Sequence, residues 1–245
     1  MTLDDSNDLD DLDDLDDLDA LGAATARVAD AFRGMTADIG ETGCGRCFTE
    51  GEMRLLRSPD VPLPVELVRQ VAQKEPGHWD DQAAVIRRVL PQLVLVLAGR
   101  PTDPELMARG LAAAGWSEWP GEQAASVAGF LDAWWSQTLR TASPPTPAAE
   151  VFASCVTASS TVTPWLARWE AELEAEAETG PVAGHHLDEC ADWWREELYS
   201  GTSPFWWWWG SLAQERAAWQ EVTLWLAGRG RPQPVPGEAG STVGE

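Results

Sequence analysis

The 245-residue chain predicts an all-α fold of paired antiparallel helices, either a HEAT-like α-solenoid or an irregular helical bundle. Three observations carry that expectation. Helix starts marked by a cap residue and proline recur along the chain, and apolar residues follow them at helical spacing. No apolar/polar alternation of period two is sustained between turn signals. The composition names the core material: 15 Trp stand against one Tyr and 5 Phe, and an enclosed Trp buries roughly 150–250 Å².

Residues 1–19, MTLDDSNDLDDLDDLDDLD, set Leu9, Leu12, Leu15 and Leu18 three apart among Asp pairs. A period of three drifts about 60° per repeat around a 3.6-residue helix, and Asp is a poor helix former. The segment therefore reads as a disordered acidic tail. It has neither the central Gly nor the closing Glu of a calcium-binding loop. A single helical domain is predicted over 20–228, followed by a flexible Gly/Pro-rich tail at 229–245.

Inside the domain, Thr49 and Glu52 have the spacing of a capping box and open a short helix, EGEMRLLR. Asp80 reads as the N-cap of a long helix carrying Val85, Ile86, Val89, Leu90, Leu93, Val94 and Leu97, which Pro91 is expected to kink or restart. Asp103–Pro104 opens a helix with Leu106, Met107, Gly110, Leu111 and Ala114 on one face and Gly115 at its end. Thr146–Pro147 opens the next, with Val151, Phe152, Cys155 and Val156. Thr163–Pro164 opens another, with Trp165, Leu166, Trp169 and Leu173.

An aromatic beside a cap or proline recurs every 40 to 46 residues, at Trp79–Asp80, Trp119–Pro120, Pro164–Trp165 and Pro204–Phe205. Over residues 63–228 this spacing resembles the two-helix units of HEAT and armadillo repeats, without their residue-level signature.

Charge narrows the functional classes. With 40 acidic against 17 basic residues and a net charge of −23, the chain is unsuited to nucleic acid or an anionic membrane surface, which need clustered Lys and Arg. The longest apolar run, LVLVLAG at 93–99, falls short of the ~20 residues needed to span a bilayer. The first residues lack the basic and apolar regions of a signal peptide. A cytoplasmic protein with reduced thiols is expected.

In that setting the stretch ETGCGRCFTEGE stands out, because it holds two of only four cysteines. Cys44 and Cys47 present two thiolates from one tight turn, which Gly43 and Gly45 leave free to form. Downstream, in GHHLDEC, His186 and Cys190 stand four apart and would share a helix face. The predicted zinc ligands are Cys44, Cys47, His186 and Cys190, with His185 as a substitute and His78 of EPGHWDD in reserve. Against this, Leu187, Ala191, Trp194 and Leu198 extend an apolar face through Cys190, so a core cysteine is an equal reading there. Cys155, among Val151, Phe152 and Val156, reads as core.

Dithiol redox chemistry competes for the same pair. It wants a strand before the first cysteine and a helix starting at it, whereas here the helix begins after Cys47. An iron–sulfur cluster would need Cys155 to leave its core. No Gly-rich phosphate loop, nucleophile elbow, HExxH or Ser/His/Asp order is found. Glu196–Glu197 and the series Glu170, Glu172, Glu174, Glu176 and Glu178 read as solvated helix faces. In SPFWWWWG, 203–210, a helix would splay Trp206, Trp207, Trp208 and Trp209 in all directions, so those rings, or the acidic tail, mark a protein contact.

Together these features describe a cytosolic scaffold or adaptor with a structural zinc, acting through protein–protein binding. The alternative is a metal-dependent or thiol-redox enzyme using the CxxC. The stretch from Cys44 to Pro91 also resembles a group of actinobacterial proteins of unassigned activity that share an N-terminal CxxC and a downstream Pro/His-Trp segment. That resemblance implies no activity, fold or ligand set.

Overall fold

The computed structural model describes residues 20–230, apart from the side chains at 177–179. The acidic tail, the segment 231–245 and the side chain of Glu178 lie outside the described residues. Among the described residues there are eleven helices and no strand. They are α1 (20–31), α2 (Glu50–Leu56), α3 (Val65–Gln73), α4 (Gln82–Ala98), α5 (Pro104–Ala113) and α6 (Gly121–Arg140). Then follow α7 (Ala148–Ser159), α8 (Thr163–Thr179), α9 (Val182–Trp193), α10 (Arg195–Ser200) and α11 (Leu212–Gly228).

Local sequence explains most of the boundaries. Thr49 Oγ1 accepts from the Glu52 N–H while Glu52 Oε2 accepts from the Thr49 N–H, the reciprocal cap that starts α2. Ser211 and Gln214 do the same for α11. At α4 the cap is Asp81, one residue beyond the predicted Asp80: its Oδ1 accepts from the Ala84 N–H at 2.9 Å. Pro91 does not restart α4, which runs unbroken from Gln82 to Ala98. An internal proline costs about 3 kcal/mol, but α4 buries seven apolar side chains between Val85 and Leu97, each worth roughly 1.5–3 kcal/mol. Packing therefore decides the outcome.

Two layers of contact organise the body. α3 packs on both α4 and α5, and α5 packs most extensively on α7, two helices further along. The α3–α5 crossing is unusually close. A Cβ added at Gly110 would stand 2.2 Å from the carbonyl oxygen of Ala72, so only glycine permits this approach.

Tryptophans fill the C-terminal half of the core. Trp135 meets Trp169 edge-on at 5.2 Å between centroids, and Phe152 touches Trp135, Trp169, Trp194 and Phe205. Three buried indole N–H groups find carbonyl partners: Trp135 donates to Trp165, Trp169 to Ala183 and Trp116 to Ala158. These three indoles thus bring apolar area into the core with their donors paired, whereas the buried indole N–H groups of Trp79 and Trp208 have no partner among the described residues.

Two expectations are overturned here. Pro204–Phe205 opens no helix: 203–210 is a looped segment, and α11 begins only at Leu212. The glutamates of α8 are not simply a solvated face. Glu172 is buried and takes a two-pronged pair from Arg140 at 2.8 and 2.9 Å, and Glu170 bonds Arg229. No helix among the described residues is long and apolar enough to cross a membrane.

Candidate metal centre

The CxxC turn forms between α1 and α2. The Cys44 carbonyl accepts the N–H groups of Cys47 at 2.8 Å and Phe48 at 3.0 Å, which closes the turn and brings the two sulfurs to one side. Gly43 has φ +60°, and a Cβ there would meet Met53 Sδ at 3.0 Å and the Trp79 ring at 3.2 Å. Glycine thus lets the turn press flat on those two side chains.

His78 comes from the connection between α3 and α4. Residues Pro76–His78 make a single 3₁₀ turn, and buried Trp79 packs on Phe48 at a tilt of 39°, with 4.4 Å between centroids. Gln70 of α3 donates its amide N–H to the Cys47 carbonyl at 2.7 Å.

Glu41 ties these pieces together. It is 1% exposed; its Oε1 accepts from the Gly43 N–H, and its Oε2 accepts from the N–H groups of Asp80 and Asp81. One carboxylate so fastens the CxxC turn to the loop that holds His78. The Glu41 carbonyl is gripped in turn by two nitrogens of Arg57.

The ligand atoms of Cys44, Cys47 and His78 consequently lie within 4.8 Å of one another, all three residues being partly exposed. Cys47 Sγ and His78 Nδ1 are 3.5 Å apart. Around a tetrahedral zinc, thiolate and imidazole ligand atoms stand roughly 3.5–3.8 Å apart, so this pair already has the right spacing and Cys44 is within side-chain reach of it. The Cys44 thiol is lowered to about 7, chiefly by the Arg46 backbone N–H and then by the side chains of Cys47 and His78. A thiolate-rich turn beside an imidazole can hold a metal ion.

The two distant members of the predicted ligand set are elsewhere. His186 is buried on α9, donates from Nε2 to the Thr141 carbonyl at 2.9 Å and turns Nδ1 toward Glu189. Cys190 is 1% exposed, and burial pushes its thiol well up, helped by the charge of Glu189. Its surroundings are the apolar face of Leu187, Ala191, Trp194 and Leu198, all buried, so the core reading fits. His185 is exposed beside Glu189. The structure therefore brings Cys44 and Cys47 together with the reserve histidine, His78, and not with His186 or Cys190. Cys155 is fully buried, as expected.

Sequence reasoning passed over Glu41 altogether, because a single Glu ahead of TGCGRC has no pattern to mark it. His78 did carry a signal: the proline and tryptophan around it are the residues that form its turn and anchor it.

The Trp-rich loop is fastened by a second carboxylate. Glu105 of α5 accepts from the Trp207 N–H at 3.1 Å and the Thr157 hydroxyl at 2.9 Å, both on Oε1. Burial raises its carboxyl to about 7. Phe205 is buried and Trp208 packs on it, whereas Trp206 is 75% exposed. Arg109 lies over the rings of Trp207 and Trp209 and pairs with Glu75, three residues before His78, at 3.0 Å. Comparison with protein-family models, curated proteins and solved structures finds no match to this chain, so the functional reading rests on the chemistry of these sites.

Proposed function

We propose that the protein is a metal-binding helical scaffold in which Cys44, Cys47 and His78 hold a zinc ion. The observation that carries this is the convergence of two thiols and an imidazole within 4.8 Å, from segments 31 residues apart that Glu41 and Trp79 hold in register. Soft sulfur and borderline nitrogen donors suit zinc and are poor ligands for magnesium or calcium. Three of the four tetrahedral positions are then filled by this chain, and the fourth takes water or a donor from elsewhere. The ion would cross-link the turn after α1 to the α3–α4 loop, and its binding energy would add to the stability of that region.

The test is metal content by elemental analysis, paired with variants. The native chain is expected to carry close to one zinc. Cys44→Ser with Cys47→Ser should carry none, and His78→Ala should lose zinc to a competing chelator at least about tenfold more readily, some 1.4 kcal/mol in affinity. Cys190→Ala should keep its zinc. Retention by His78→Ala together with loss by Cys190→Ala would restore the original ligand set and reject this one.

The scaffold part of the reading is supported by the Trp-rich loop. Trp206 projects into solvent from a segment whose backbone is fixed by Glu105 and whose neighbouring rings are backed by Arg109. A large aromatic held outward on a fixed loop suits contact with a protein partner.

A further inference from the structure

We propose that Cys44 and Cys47 are also a reversible oxidation site: a hydroperoxide converts them to an intrachain disulfide, and any metal they hold is released. The metal-release half rests on the zinc reading above; disulfide formation in the metal-free chain does not.

Geometry and access support it. The two cysteines are the ends of one turn, closed by the 2.8 Å bond from the Cys47 N–H to the Cys44 carbonyl. Such a turn keeps its first and fourth Cα atoms within about 7 Å, a span that overlaps the roughly 4.4–6.8 Å of protein disulfides. The sulfurs already lie within 4.8 Å, so side-chain rotation and a small flexing at Gly45 bring them into bonding range. Both thiols are reachable from solvent, whereas Cys155 and Cys190 are enclosed at 0% and 1% exposure.

The chemistry balances with hydrogen peroxide as the oxidant. The Cys44 thiolate attacks one peroxide oxygen; an S–O bond forms, the O–O bond breaks and hydroxide leaves, giving the sulfenic acid. The Cys47 thiolate then attacks the Cys44 sulfur; the S–S bond forms and a second hydroxide leaves. Two protons complete two water molecules, the sulfur pair has lost two electrons and the peroxide has gained them. A dithiolate that had been bound to zinc no longer offers an anionic ligand, and His78 alone cannot retain the ion.

The fold does not depend on this event. Glu41 and Trp79 secure the His78 loop through bonds and packing that involve neither sulfur, so the turn stays in place for reduction and reloading.

The full chain, both metal-free and zinc-loaded, is treated with equimolar hydrogen peroxide and followed by intact mass, peptide mapping and a chromogenic zinc chelator. The expected result is a mass lower by two hydrogens, a Cys44–Cys47 cross-link, release of the bound zinc, and full reversal by a dithiol reductant with added zinc. Cys47→Ser should gain oxygen instead of losing hydrogen, and Cys190→Ala should behave as the native chain. A metal-free chain that keeps its thiols, adds oxygen only, or cross-links Cys155, Cys190 or a second molecule overturns the proposal. A chain that never takes up zinc but forms the disulfide overturns only the metal reading.

Discussion

The CxxC turn and the Trp-rich loop are both irregular segments fastened by one carboxylate each, the first to the loop that holds His78 and the second to α5, and the two fastenings differ. Glu41 accepts three backbone N–H groups and spends both oxygens on them. Glu105 accepts the Trp207 N–H and the Thr157 hydroxyl on one oxygen, with the Trp206 N–H also acting on it, yet burial raises its carboxyl to about 7, with Glu215 adding to the rise. Glu41 is a strut between two backbone segments. At Glu105 burial outweighs the donors and makes the grip sensitive to pH. The difference gives the loops different anchors: the first joins backbone amides of two segments, and the second is a grip that changes with proton activity.

Removing the strut should produce the largest effect. Glu41→Ala leaves three amide donors without their acceptor and cuts the link between Gly43 and Asp80. A loss of about 3 kcal/mol in urea unfolding is expected, together with weaker zinc retention. A loss below about 0.5 kcal/mol would mean that the turn and the loop hold each other without this carboxylate.

An effect of comparable size, seen only as pH changes, is expected at Glu105. Because its folded value lies above the ordinary 4.5, the stability linked to it is fully present below the unfolded value and is lost as pH rises through about 7. Relative to Glu105→Gln, the native chain should therefore gain about 3 kcal/mol between pH 8 and pH 4.5. Parallel stability profiles for the two chains would remove the pH-sensitive grip assigned to Glu105. The smallest effect belongs to the loop's outermost ring. Trp206→Ser should leave the unfolding free energy within about 0.5 kcal/mol, and a loss above about 1 kcal/mol would show that the ring is packed and is not offered to a partner.

The all-α architecture was legible because its signals are local. The Thr49–Glu52 box and the prolines at 104, 147 and 164 mark helix starts through interactions that span a single turn. Asp80 and Asp81 show the limit: either could cap α4, both donate their N–H groups to Glu41, and only the bond from the Ala84 N–H to Asp81 Oδ1 singles one out. At the candidate site the turn itself could be read from CGRC, but its third member could not be chosen by spacing. His186 and Cys190 share a helix face as their spacing implies; that face points into the core, a fact of tertiary packing. Likewise, four consecutive tryptophans give no hint that the chain there is looped, because the bond from Trp207 to Glu105 crosses 102 residues.

The missing side chain at Gly110 reaches further than its own crossing. α3, on one side of it, carries the Gln70 that steadies the Cys47 carbonyl, and α5, on the other, carries the Glu105 and Arg109 that position the tryptophan loop. A single methyl at that joint would wedge the two helices apart like a shim, tilting the sulfur-bearing turn and the aromatic rim in one stroke though neither touches residue 110 itself. The spatial relation between the molecule's two most distinctive surfaces is thus set by one hydrogen atom's worth of clearance.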